Sequence, residues 1–357
     1  MRRVGLSAAS SMRSLGGLHR RRLAASLSEH RRLSSSFSIS DVTHPSLVKS
    51  SSASDPLELC PYALARGIRS RGIERAVWAE IRLEAKAQNR EQSWRSLDLQ
   101  EFGIDDYLGR EVLDHRSLAC GLTAGLGAKL CASRKIHGEP ERKGIDFEKI
   151  ILSALKADPQ ITTSVATDIL RFKEVDPACP GLLGVFLFYK GVHALACARV
   201  AHHYWTRRGE AGKLIARLMQ SETSDVFGVD IHPGAKLGDG ITIDHATGVV
   251  VGETSVLGNN VYLMHDVTLG STGTTDTFDR HPKIADGVFL GAKCTVLGNV
   301  VIGEGATVAA AALVNKPVPP GYTAVGVPAK LLPPPKGSKY WKPDLSSVAK
   351  RVDVTKL

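Results

Sequence analysis

The chain is 357 residues long, room for about two domains at roughly 150 residues each, and its 43% hydrophobic and 23% charged residues are those of an ordinary folded protein. No apolar run reaches the roughly 18 residues that a membrane-spanning helix needs, so no membrane partner is expected. The formal charge of +10 suggests nucleic acid only until it is located: positions 1–40 hold eight Arg against Glu29, and the remaining charge of about +3 calls for no nucleic acid.

Positions 1–40 also hold 11 Ser, with arginine clusters at Arg20, Arg21, Arg22 and at Arg31, Arg32. A basic, acid-poor segment of this kind is the composition of an organelle transit peptide. Arginine density favours a mitochondrial destination over a plastid one, and a cytosolic location follows if the segment is not cleaved. Positions 41–54 read as a Ser-rich linker. From 55 to 225 the texture is helical. Ile73, Val77, Ile81 and Glu84 keep a helical period, Ser117 caps a Leu/Ala run to Leu130, and Asp146 opens Phe147 to Leu155. The longest helix is predicted to start near Gly181 and to carry Leu183, Phe186, Leu187, Leu195 and Val200. The six cysteines form no C-x-x-C pair and no zinc-ligand spacing, which predicts free thiols.

From 226 to 330 glycine is dense and apolar residues recur every six positions. The first frame is Ile231, Leu237, Ile243, Val249; after a two-residue slip it restarts at Val251, Leu257, Leu263, Leu269. Beyond a break from Gly270 to Lys283 it resumes at Ile284, Leu290, Val296, Ile302, Val308, Val314, with Val288, Cys294, Val300, Ala306, Ala312 and Val318 filling the fourth place after each. This is the hexapeptide repeat of a parallel β-helix, in which three hexads make one triangular coil. The flat faces of such a coil favour a trimer, with the helical domain capping one end and placed to pair trimers. Positions 331–357 form an extended tail that passes through Pro333, Pro334 and Pro335 and ends at Leu357.

Chemistry is expected where polar residues interrupt the repetitive wall: Asp230, His232, Asp244, His245, Glu253, His265, Asp266, Asp279, Arg280 and His281. His245 follows Asp230 at a separation three short of one coil, so the two are expected to meet across about 5 Å. A metal centre drafting His232, His245 and His265 would need spacings other than 13 and 20, and no metal is expected. His193, His202 and His203 read as structural, and Cys294 as core. No phosphate-binding loop, dinucleotide fingerprint or G-x-S-x-G elbow is present in the sequence.

The segments Asp225 to Gly238, Ile243-Asp-His-Ala-Thr-Gly, Val267-Thr-Leu-Gly and Asp279-Arg-His-Pro-Lys-Ile closely resemble serine O-acetyltransferase. The likeness extends upstream through Asp114-His-Arg-Ser-Leu, Asp176-Pro-Ala and Lys190-Gly-Val-His-Ala-Leu. The resemblance implies a left-handed parallel β-helix behind an α-helical domain, a trimer or dimer of trimers, and transfer of acetyl from acetyl-CoA to the L-serine hydroxyl for cysteine synthesis. It implies His245 as general base with Asp230 orienting it. Asp176 and Asp244 would hold the serine ammonium and hydroxyl, and Arg280 and His281 its carboxylate, with Glu253 beside them. Gly270, Thr272, Ala292 and Lys330 would line the CoA arm, although Ser271 and Thr274 depart from the family's glycine-rich loop. L-cysteine, isosteric with serine, is the implied inhibitor. Many relatives bind cysteine synthase through a terminal Ile; Leu357 here predicts weak or absent association. Another hexapeptide acyltransferase, acting on a sugar or an amino acid, is the alternative.

Overall fold

A computed structural model describes residues 72–90, 107–135, 144–273 and 278–339. The predicted transit segment, linker, Thr274 and the tail's end lie outside these residues. Seven α-helices come first among them: α1 (Ile73–Arg90), α2 (Leu118–Lys135), α3 (Phe147–Ala157), α4 (Gln160–Val175), α5 (Leu182–Phe188), α6 (Lys190–Arg207) and α7 (Gly209–Phe227). A π-helical turn, Gly109–Leu113, stands between the first two.

The helices form where the pattern and caps dictate. Ile73, Val77, Ile81 and Ala85 of α1 are fully buried at a spacing of four, one helix face turned to the core. Ser117 accepts a hydrogen bond from the Cys120 amide (3.3 Å), and Asp146 from that of Lys149 (2.8 Å), each satisfying an orphan donor of the first turn. Glu84 has a different task from its neighbours in the period. Its carboxylate accepts from the amides of Leu182 (3.2 Å) and Leu183 (2.8 Å), capping α5 from another helix.

The single long helix expected from Gly181 is in fact two, bent by 66° at Tyr189. Tyr189 is extended (φ −86°, ψ 98°), and its hydroxyl donates to Asp176. After the bend α6 runs against the β-helix so closely that a Cβ on Gly191 would collide with the Ile243 carbonyl oxygen. A straight helix would forfeit both contacts. The longest helix among the described residues is α7, with 19 residues; it stops at Gly228 in the left-handed region (φ 68°), and the first strand starts at Val229.

Fifteen short strands follow among the described residues, β1 (Val229–Ile231) to β15 (Lys330–Leu332). Their order in three sheets is β1-β4-β7-β10-β13, then β2-β5-β8-β11, then β3-β6-β9-β12-β14-β15. All pairs are parallel except β14 with β15. The six-residue frames stack in register: Ile231 on Val251, Val251 on Leu269, Leu269 on Val296 and Val296 on Val314. Leu237, Leu257, Ile284 and Ile302 stack in the second sheet, and Ile243, Leu263, Leu290 and Val308 in the third. All but the half-buried Leu237 are buried. The first coil therefore runs from Ile231 to Val251, longer than three hexads by two, and the extra pair falls in the turn after His245. Cys294 is fully buried, and burial pushes its thiol up to about 12, which keeps it protonated and unreactive.

A buried ion pair joins the helices to this first coil. Asp168 of α4 takes hydrogen bonds from Arg199 of α6 (2.9 Å) and from the Ile241 amide (2.8 Å), and Arg199 also donates to the Gly238 carbonyl (2.7 Å).

Candidate active site

Each coil turns from the third sheet into the first at one corner, and from the first into the second at the next. The first of these corners carries Asp244 and His245 in one coil, His265 in the next and Ala292 in the third. Amides climb this corner as a ladder: Asp266 donates to the Thr247 carbonyl (2.8 Å), Lys293 to that of His265 (3.0 Å) and Ala311 to that of Ala292 (2.8 Å). The corner demands left-handed backbone, with φ of 58° at His245, 61° at Ala246, 57° at Asp266, 63° at Lys293 and 58° at Ala311. Non-glycine residues hold it there only because the coils above and below over-determine the turn.

At this corner the His245 side chain is 72% exposed, with Nε2 3.9 Å from Asp244 Oδ2. Tyr262 donates to the same Oδ2 (3.0 Å). Asp176, in the turn after α4, accepts from the Ala178 amide through Oδ1 (2.8 Å) and from Tyr189 through Oδ2 (3.4 Å). Burial and then the nearby Asp176 carboxylate push the Tyr189 phenol up to about 12; burial and then Asp244 raise that of Tyr262. Both phenols remain donors.

The second corner holds the remaining polar residues. Arg280 donates to Glu253 (2.8 Å), and that bond holds the Glu253 carboxyl below its usual range. His281 is buried, its Nδ1 facing the Thr254 amide (3.2 Å), so the assigned tautomer carries its proton on Nε2. Burial, followed by the charges of Arg280 and Lys283, lowers its pKa. A Cβ on Gly252 would strike the His281 ring, so the glycine is what seats it. Gly270 ends β7 and its carbonyl accepts from the Gly298 amide (2.9 Å), with Thr272 just beyond. Lys330 is exposed at the start of β15, paired with Val325.

The longer first coil sets the places of Asp230 and His265. Asp230 is in register with Val250; a coil of three hexads would already place its partner past His245, and the longer first coil widens that offset. Its carboxylate accepts from Gln220 of α7 (2.6 Å), and among the described residues no hydrogen bond joins it to His245. The same longer coil brings His265 against His245, ring centroids 5.8 Å apart, at a spacing that a coil of three hexads disfavours. His232 stays at the other corner, its ring against Trp205 (5.0 Å). Among the described residues no cluster of three or more His, Cys, Asp or Glu is arranged to hold a metal. His193 is structural, its Nε2 2.7 Å from the Phe186 carbonyl oxygen, and His202 contacts the Pro233 carbonyl oxygen (2.8 Å).

Tyr189, Tyr262, Thr254 and Gln220 are not among the residues that the sequence marks for the site. Tyr262 had a legible signal: an aromatic at an outward hexad position, three hexads after Asp244. The others depend on loop and helix placement that no spacing encodes.

Comparison with known proteins supplies the family. Residues 77–197 match the model of the serine acetyltransferase N-terminal domain, and residues 281–316 that of the bacterial transferase hexapeptide, six repeats. The mitochondrial serine acetyltransferase 3 of Arabidopsis thaliana is 43% identical over 72% of this chain and 60% of its own length. The serine acetyltransferase of Escherichia coli strain K12 is 38% identical over 74% of this chain and 89% of its own. Among solved structures, a soybean serine acetyltransferase complexed with serine superposes with a TM-score of 0.64 at 41% identity, covering 73% of this chain and 99% of its own. A serine acetyltransferase in complex with CoA gives 0.63 at 37% identity, over 72% and 100%. Helical domain, hexad coils and these likenesses agree: the chain belongs to the serine acetyltransferase family.

Proposed function

We propose that the protein transfers the acetyl group of acetyl-CoA to the hydroxyl of L-serine, giving O-acetylserine. The observation that carries this reading is the grouping of Asp176, Asp244 and His245 at one corner while Arg280 and His281 stand at the other. The serine ammonium docks between the two carboxylates, and its carboxylate meets the guanidinium of Arg280 and the Nε2–H of His281. His245 takes the hydroxyl proton as the oxygen attacks the thioester carbonyl; the C–O bond forms, the C–S bond breaks, and the imidazolium returns the proton to the CoA thiolate. No acyl-enzyme is needed, since proximity of the two substrates supplies the gain. Ala292 on the His245 corner, with Gly270, Thr272 and Lys330 elsewhere on the coils, lines the CoA path.

Strands of three residues, about 10 Å long, separate the two corners, more than one serine spans. The site is therefore completed between neighbouring copies, which favours a trimer or a dimer of trimers. Asp230 serves His245 only after releasing Gln220. Asp230→Asn tests this: a fall in kcat with serine KM unchanged supports the role, and an unchanged kcat removes Asp230 from the mechanism.

Loss of acetyl-CoA thioester with serine as sole acceptor tests the function. His245→Ala is expected to lower turnover by about 10² to 10⁴ with acetyl-CoA binding retained. Collapse of acetyl-CoA affinity at unchanged turnover would overturn the assignment. Cysteine, filling the serine pocket, is expected to inhibit competitively with serine. The arginine-rich N-terminal segment and the mitochondrial relative support a mitochondrial address, read directly by imaging an N-terminal fusion. For the tail, a ten-residue C-terminal peptide is expected to bind cysteine synthase weakly and its Leu357→Ile variant more tightly.

A further inference from the structure

Asp176 and Asp244 are two carboxylates close enough to act together on Tyr262, and their side-chain hydrogen bonds among the described residues come from neutral groups: an amide and two phenols. Such a pair attracts a cation, and its selectivity depends on how rigidly the oxygens are held. Tyr262, on β6 in register with Thr242 of β3, is held by its ring, which stacks on Phe289 one coil further along at 5.1 Å and 22°. Its hydroxyl donates to Asp244 Oδ2, the oxygen that also lies 3.9 Å from His245 Nε2. One phenol thus fixes the atom that bounds both the ammonium pocket and the imidazole. Tyr189 repeats the arrangement on Asp176, its ring set edge-on to Phe172 at 5.1 Å and 83°.

We propose that Tyr262 is a positioning residue of the acceptor pocket: its phenol clamps the Asp244 carboxylate where the substrate ammonium docks, making the site select hydroxyl acceptors that carry an adjacent primary ammonium. The proposal rests on the reading of Asp244 as an ammonium site. Without the clamp, the carboxylate turns freely and the cost falls on binding the amine, while the thioester half of the reaction is untouched. Tyr262→Phe deletes the hydroxyl and keeps the stack on Phe289, so the coil retains its packing.

Steady-state kinetics of the full-length oligomer provide the test, with thermal melting as a check on folding. For Tyr262→Phe the serine KM is expected to rise roughly tenfold, with kcat and the acetyl-CoA KM changing far less. Serine's advantage in kcat/KM over 3-hydroxypropionate, which lacks the ammonium, should shrink by a similar factor. Phe289→Leu, which loosens the stack and leaves the phenol, should show the same split in smaller measure. An unchanged serine KM in both variants overturns the proposal. If Asp244→Asn raises the serine KM while Tyr262→Phe does not, the ammonium site stands and the clamp is overturned. If neither raises it, both fall.

Discussion

A titratable side chain packed inside the helical domain ties the fold to pH, and His193 of α6 is one. It is buried among α6, Phe186 and Phe227, and burial, partly opposed by its bond to the Phe186 carbonyl, lowers its pKa to about 4 from 6.5. Between these values the unfolded chain binds a proton that the folded chain refuses, so stability is present above about 6.5 and is lost as pH falls toward 4. Asp168 acts with the opposite sign. Burial raises it to about 6 from 3.8 despite Arg199, so the folded chain gains stability as pH falls through that window. The two contributions offset in the wild type, and a difference isolates one of them. His193→Gln keeps a donor for the Phe186 carbonyl but does not titrate. Denaturant melts at pH 7 and pH 5 should show wild type losing roughly 2 kcal/mol relative to this variant on acidification. Parallel loss in both proteins would remove His193 as the source.

At the scale of elements, the hexad frame was fully legible, because stacking repeats one constraint in every coil. The bend at Tyr189 was not, since Leu182–Arg207 keeps an apolar helical pattern through it and the cause is external: the phenol's bond to Asp176 and the approach of Gly191 to Ile243. The longer first coil was half legible, as a two-residue slip whose consequence for Asp230 and His265 requires the register. Gly191 tests the close approach. On helix propensity alone Gly→Ala gains about 1 kcal/mol, but forcing a Cβ into the Ile243 backbone costs about 3 kcal/mol, and the clash wins. Gly191→Ala should therefore lower Tm. The control is Gly125→Ala in α2, where the nearest atom, Glu111 Oε2, would lie at 3.6 Å, an ordinary contact. That variant should match or exceed wild type, and equal behaviour of the two would refute the clash. Within the coils, Leu263→Ala, at a fully buried rung, should cost about 2–5 kcal/mol in a denaturant melt.

Across the whole molecule, the groups proposed to bind serine stand at two different corners of one chain. Asp244 and His245 belong to the turn between the third and first sheets, Arg280 and His281 to the turn before the second, and the first sheet lies between them. Polar interruptions of the repeat marked these residues and the resemblance implied their roles, but neither said which corner each occupies, because the break from Gly270 to Lys283 hides the phase of the coil. If neighbouring copies complete the site, two inactive variants should rescue each other. His245→Ala keeps the Arg280 half, and Arg280→Ala keeps the His245 half. In a trimer assembled at random from equal amounts, a working site needs the Arg280→Ala chain on one side and the His245→Ala chain on the other. That combination occurs at about one site in four. Co-expressed and co-purified variants should therefore recover about a quarter of wild-type turnover, against nearly none for either alone or for the two mixed after separate assembly. Persistent inactivity of the co-assembled trimer would mean that each chain brings its two corners to one serine by itself, and the composite site would be wrong.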